Sequence, residues 1–167
     1  MAPRFKICVL GEFAVGKTST VARAVRNEFS AKYQTTVGVS IDIKEMHADD
    51  GTALKMILWD IAGTERLATL DKHYLQGLDG YLLVADGTRS DTLTTATNLH
   101  REVVAAHGPK PFVALVNKSD LVSEWTVSED ALNGADGFGI HWNACSAKRG
   151  DNVEQAFRQL AKALTAR

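Results

Sequence analysis

Eight residues, GEFAVGKT at positions 11–18, constrain this chain more than any other feature. Gly11 and Gly16 bracket a short loop, and Lys17 and Thr18 follow at once. An apolar run at 5–10 leads straight into that loop and reads as a strand. The stretch 16–29 reads as a helix with Val21, Ala22, Val25 and Phe29 on one side. Strand, glycine-bearing turn and helix in that order mark the start of an alternating α/β chain.

The rest of the sequence continues the alternation. Runs at 37–46 and 53–60 predict two strands joined by a turn at Asp49, Asp50 and Gly51, a hairpin signal. The continuous apolar runs 81–85 and 111–116 suit strands buried on both faces of a parallel sheet. Between them, 91–107 reads as a helix ended by Gly108 and Pro109. A last strand is expected at 140–145. The closing segment 151–164 is amphipathic, with Val153, Phe157, Leu160 and Leu164 on its apolar stripe. The expectation is an α/β fold: a mostly parallel six-stranded sheet, one antiparallel edge strand, and helices on both faces. No repeat or linker interrupts it, so one domain spanning 1–167 is the simplest organisation. In such sheets ligands gather at the carboxyl ends of the strands, which makes the loops after strands the informative ones.

Composition excludes some classes. With a net charge of -1 there is no global field to draw the chain to nucleic acid or anionic lipid. Cys8 and Cys145 are far apart and belong to no C-x-x-C pair, so neither a zinc site nor a disulfide framework is expected. Cys8 falls in an apolar run and reads as a small core residue. A reducing, cytoplasmic setting suits these features. There is no apolar signal core, no Gly at position 2 for myristate, and no cysteine in 161–167 for a prenyl group. Peripheral membrane association would therefore need residues outside this chain.

The loops after the strands supply the chemistry. Segment 11–18 fits G-x-x-x-x-G-K-[ST] in the strand-before, helix-after context that a phosphate cradle requires. Its successive backbone N–H groups, around Ala14, Val15, Gly16 and Ser19, form an anion nest at a helix N-terminus. Lys17 would neutralise β/γ-phosphates, and the Thr18 hydroxyl would take a Mg2+ position. Asp60, in the run WDIAG after the third strand, suits Mg2+ held through water. Gly63 can bring its N–H to a γ-phosphate because no Cβ obstructs the approach. After the strand 111–116 comes NKSD. The carboxylate of Asp120 can accept from N1–H and the 2-amino group of guanine, a group adenine lacks, while Asn117 and Lys118 lie beside it. Ser146, Ala147 and Lys148, after the last strand, could cover the other edge of the base.

Five segments, 11–18, 33–38, 59–66, 117–120 and 145–148, occur in the order and approximate spacing of the Ras-like small GTPases. The similarity extends over essentially the whole chain. The run Y-x-x-T-x-G-V at 33–39 and the Trp59-Asp60 pair look closest to the Rab branch. The resemblance implies a G-domain fold and a GTP/GDP switch using Mg2+. It places Phe29 edge-on against guanine and Tyr33 over the phosphates. Thr36 would be the second hydroxyl ligand of Mg2+, beside Thr18 and Asp60. Backbone groups of Ser146 and Ala147 would lie near guanine O6, with Lys118 and Lys148 flanking the base. It further implies a monomer whose effectors, exchange factors and activating factors engage 33–42 and 61–75.

Two positions depart from the pattern. Thr64 stands where most Rab and Ras proteins carry the Gln that orients the attacking water, as it does in Rap proteins. A threonine is too short for that task, so unaided hydrolysis should be slow. Gln34 and Glu65 are the nearest substitutes in sequence. Phe13 stands where Ras proteins have Gly and would crowd an arginine finger entering from a partner. No arginine lies between Asn27 and Gly38 to serve in cis. The leading expectation is a slow GTPase with Lys17, Gly63 and Thr64 at the reacting phosphate. The alternative is a GTP-bound interaction module with negligible turnover. A P-loop kinase or ATPase is a third reading, opposed by Asp120.

Overall fold

The structure is a computed structural model that describes residues 1–32, 35–134 and 139–166. Six strands form one sheet: β1 (Arg4–Leu10), β2 (Val39–His47), β3 (Ala53–Ile61), β4 (Gly80–Asp86), β5 (Phe112–Asn117) and β6 (Trp142–Ala144). Their order is β2-β3-β1-β4-β5-β6. All neighbours are parallel except β2 and β3. That hairpin closes at the expected turn, where Gly51 has φ 84 and the Asp50 carboxylate accepts from the Thr52 N–H at 2.9 Å. The helices are α1 (Lys17–Arg26), α2 (Asp91–His107), α3 (Glu129–Leu132) and α4 (Val153–Thr165). Among the described residues no helix is long and apolar enough to cross a membrane.

Alternation along the strands divides the core into two layers. Ile7 and Val9, Leu82 and Val84, and Val113 and Leu115 face α1 and α4, meeting Val21, Phe157 and Leu160. Their neighbours Cys8 and Leu10, Leu83 and Ala85, and Ala114 and Val116 face α2, meeting Leu93, Leu99 and Val103. Both cysteines are buried and free. The apolar stripe expected on α4 is buried throughout.

Helix α1 ends three residues before the expected Phe29. Asn27 takes a left-handed conformation (φ 53, ψ 41); its N–H donates to the Arg23 carbonyl at 3.1 Å, and the Glu28 N–H to the Ala22 carbonyl at 3.4 Å. Asn tolerates this conformation at a helix end, so the chain turns off there. Phe29 therefore does not continue the helical apolar side but is 39% exposed beyond the helix. The last strand is also shorter than 140–145, and α4 starts after a left-handed Asn152. The 3-10 turns at Leu67–Thr69, Lys72–Tyr74 and Val122–Glu124, with α3, are additions to the sequence-based reading.

Candidate functional site

A cleft of about 890 Å³ opens at the carboxyl end of the sheet. Its walls include Ala14, Gly16, Lys17, Thr18 and Ser19, with Phe29, Thr36, Gly63, Asn117, Lys118, Asp120 and Lys148. These come from five separated stretches of sequence. Tyr33 and Gln34 lie outside the described residues.

The floor is the turn from β1 into α1. Ala14 (φ 63) and Gly16 (φ 100) have positive φ on either side of Val15, an alternation suited to an anion nest. A Cβ on Gly16 would stand 2.1 Å from Asn117 Nδ2, so only glycine fits there. The first turn of α1 carries no acidic residue, which leaves its positive end uncompensated. Lys17 is 6% exposed and donates to the Glu12 carbonyl at 3.0 Å. Burial pushes its ammonium down to about 8, against the pull of Asp60. A buried ammonium short of counter-charge is a site prepared for an anion.

At one end of the cleft three oxygen donors converge. Thr18 Oγ1 donates to Asp60 Oδ2 at 2.7 Å and lies 2.6 Å from Thr36 Oγ1. Burial raises the Asp60 pKa, although the Thr18 bond lowers it in part. The second carboxylate oxygen, Oδ1, is buried and accepts no hydrogen bond among the described residues. An orphaned carboxylate oxygen beside two hydroxyls fits a hard divalent cation such as Mg2+. Thr18, Thr36 and Asp60 are the residues that would hold it.

At the other end, Asn117 joins three loops. Its Nδ2 donates to the Val15 carbonyl at 3.1 Å, and its Oδ1 accepts from the Ala147 N–H at 3.0 Å. Asp120 reaches the cleft with Oδ1 accepting from Ser146 Oγ at 2.8 Å, which orients the carboxylate. Lys118, at φ 74, sends its ammonium to the Ala14 carbonyl (3.1 Å) and to Asp86 Oδ2 (2.8 Å). Arg23 ties α1 to the last loop through the Ala147 carbonyl at 2.8 Å.

Val15, Ser146 and Ala147 do not line the cleft. The two amides expected at the base edge are committed inside the protein: Ser146 N–H to the Asp151 carbonyl at 3.0 Å, Ala147 N–H to Asn117. Both residues thus hold Asn117 and Asp120 in place. Thr64 is 8% exposed and its hydroxyl donates to the Arg66 carbonyl at 2.8 Å, with Thr69 Oγ1 also at 2.8 Å. Its side chain is engaged within its own loop, and its N–H donates to the Gly11 carbonyl at 3.0 Å. Glu65 is exposed. Asp86, Arg89 and Arg23 were missed by sequence reasoning. The rule that ligands collect after strands would have flagged Asp86, the last residue of β4.

Fold and site together define a P-loop protein of the α/β class with a nucleotide-sized cleft. The chain belongs to the Ras family, whose family model matches residues 6–166. Similar proteins include Ras-related protein Rab-7L1 of Rattus norvegicus, 33% identical over 169 residues, covering 95% of this chain and 80% of that one. The Homo sapiens Rab-7L1 is 34% identical over 167 residues, with 93% and 80% covered. Ras-related protein Rab11E of Lotus japonicus is 37% identical over 158 residues, with 93% and 72% covered. The chain is a small GTPase of Rab type, and proteins of this family bind guanine nucleotide, usually with Mg2+.

Proposed function

We propose that this chain binds GTP and GDP with Mg2+ and hydrolyses GTP slowly without a partner. One observation carries the reading. Asn117 links the phosphate loop to the loop bearing Ser146, which in turn orients Asp120 at the far wall of the same cleft. Phosphate cradle and guanine-selective carboxylate are thereby held as one rigid unit.

Lys17 would place positive charge on the β- and γ-phosphates, gaining the counter-charge that burial denies it. Bound Mg2+ would neutralise charge developing on the γ-phosphate oxygens. Thr36 and Gly63 are the residues that would register the γ-phosphate, and the loops around Thr36 and from Ile61 to about Tyr74 would change order when it leaves. Segments 33–42 and 61–75 are the proposed surface for effectors and regulators. Val37, Ile41 and Ile43 are 88%, 51% and 53% exposed there or just beyond, apolar area suited to a protein partner.

The engagement of the Thr64 hydroxyl with Arg66 and Thr69 favours a second reading, a GTP-held interaction module that barely turns over. Single-turnover hydrolysis of GTP with saturating Mg2+ separates the two. A rate within roughly 10⁻⁴ to 10⁻³ per second, the intrinsic range of Ras, supports a slow switch. GTP retained for many hours supports the module, and a much faster rate refutes both accounts of Thr64.

A further inference from the structure

Arg89 lies in the tight turn between β4 and α2, a position that none of the nucleotide motifs includes. The turn is built on Asp86, whose Oδ1 accepts from the Thr88 N–H (2.8 Å) and the Thr88 hydroxyl (2.7 Å). Its Oδ2 receives Lys118 Nζ at 2.8 Å and Arg89 Nε at 3.2 Å. Asp86 is 1% exposed, and although burial alone would raise its pKa, the bonds from Lys118 and Thr88 hold it below the usual range. A buried, ionised carboxylate therefore fixes two cations side by side.

Both cations then grip carbonyls of the phosphate loop. Arg89 Nη2 donates to the Phe13 carbonyl at 2.8 Å, and Lys118 Nζ to the Ala14 carbonyl at 3.1 Å. Lys17 Nζ holds the Glu12 carbonyl at 3.0 Å. Three consecutive carbonyls of the loop are each held by a different cation. A trans peptide plane whose C=O is held by a cation must direct its N–H the opposite way, so these bonds fix the direction of the loop amides. The Arg89 bond is charge-assisted, shorter and stronger than one between neutral groups.

The Phe13 residue it grips also touches the loop bearing Gly63. A Cβ on Gly63 would fall 2.4 Å from Phe13 Cα and 2.6 Å from Phe13 N, so the two backbones are in direct contact. The next residue, Thr64, donates its N–H to the Gly11 carbonyl at 3.0 Å. Any shift of the Phe13 peptide is thus passed to Gly63.

We propose that Arg89, held by Asp86, is a positioning residue for the γ-phosphate: it fixes the Phe13 peptide, and through it the stance of Gly63. The inference rests on the guanine-nucleotide reading above. A residue with this role supports GTP more than GDP, because only GTP reaches Gly63. An arginine that merely stapled the turn would affect both nucleotides alike.

The test measures the affinities of GDP and of a non-hydrolysable GTP analogue with Mg2+ for the wild-type chain, Arg89→Met and Arg89→Lys. The expected result is an analogue affinity about tenfold weaker in Arg89→Met with GDP nearly unchanged, from the loss of one charge-assisted bond. Arg89→Lys keeps the charge and is expected to lie between the two. Equal losses for both nucleotides, or no loss, overturn the proposal. Should Arg89→Met fail to fold, a selective loss in Arg89→Lys supports the proposal and an equal or absent one overturns it. A wild-type chain that binds neither nucleotide overturns the guanine reading and this inference with it.

Discussion

Replacing Asn117 with alanine is expected to cost more stability than its single side chain suggests. The residue is 3% exposed, and two of its side-chain bonds go to backbone groups that are themselves buried, the Val15 carbonyl and the Ala147 N–H. In the variant both groups keep their burial and lose their partner. Each orphaned group costs about 1–3 kcal/mol, so the sum is about 2–6 kcal/mol. A domain of this size has about 5–15 kcal/mol in total, which places the variant near the edge of folding without ligand.

The same geometry predicts a coupling. Gly16→Ala in the wild-type chain meets Asn117 Nδ2 at 2.1 Å and also strains a residue at φ 100. In an Asn117→Ala background the collision disappears and only the backbone strain, about 1–3 kcal/mol, remains. Urea unfolding of the two single variants and the double variant, followed by tryptophan fluorescence, gives the cycle. The double variant should be more stable than the sum of the singles requires by at least about 1 kcal/mol. A loss below about 1 kcal/mol in Asn117→Ala, or strict additivity, refutes the view that this side chain joins the loops.

Thr64, Lys17 and Glu102 each carry a further expectation. Thr64→Gln should raise single-turnover GTP hydrolysis by about tenfold or more, as a positioning group is restored, and an unchanged rate would refute the argument about water. Lys17, at about 8 in the described structure, should regain its proton when phosphates arrive, so GDP binding at pH 8 should take up about half a proton and weaken as pH rises further. Calorimetry in two buffers of different ionisation enthalpy reads this directly, and no uptake at pH 8 would contradict it. By the same linkage the nucleotide-free protein should gain stability as pH rises from about 8 toward 10.5, where the unfolded chain holds the extra proton. Glu102→Ala should loosen the loop after β3. This carboxylate accepts from Arg66 Nε at 2.6 Å and from the Leu67 N–H at 2.8 Å. The ion pair is exposed and contributes little, so the lost backbone bond should dominate at about 1 kcal/mol. Amide exchange near Leu67 would then quicken about fivefold, and unchanged exchange would show that the loop is held by other contacts.

The parts of this protein legible in its sequence are those whose chemistry is contiguous. The GEFAVGKT loop carries its own glycines, cation and hydroxyl, and its strand and helix neighbours are adjacent in the chain. Continuous apolar runs at β4 and β5 identified strands covered on both sides, and the Asp50-Gly51 pair marked the hairpin turn. What escaped depends on tertiary contact or on a single backbone conformation. The end of α1 hinged on Asn27 adopting the left-handed region, which periodicity does not encode. The cations that hold the Phe13 and Ala14 carbonyls come from residues 89 and 118, distant in sequence and brought together by the β1-β4-β5 order. Thr64 was legible as a departure from the family pattern, but the direction of its hydroxyl, toward Arg66 and Thr69, was not.

Under the proposed function, one rigid cleft selects guanine and phosphate together. Competition between GDP and ADP for the purified chain in Mg2+ tests it most directly. Asp120 and the loop held by Asn117 predict that GDP binds at least about a thousandfold more tightly than ADP, since a site built to hydrogen-bond one base strongly rejects a ligand that cannot pair with it. Comparable affinities for the two nucleotides would contradict the account.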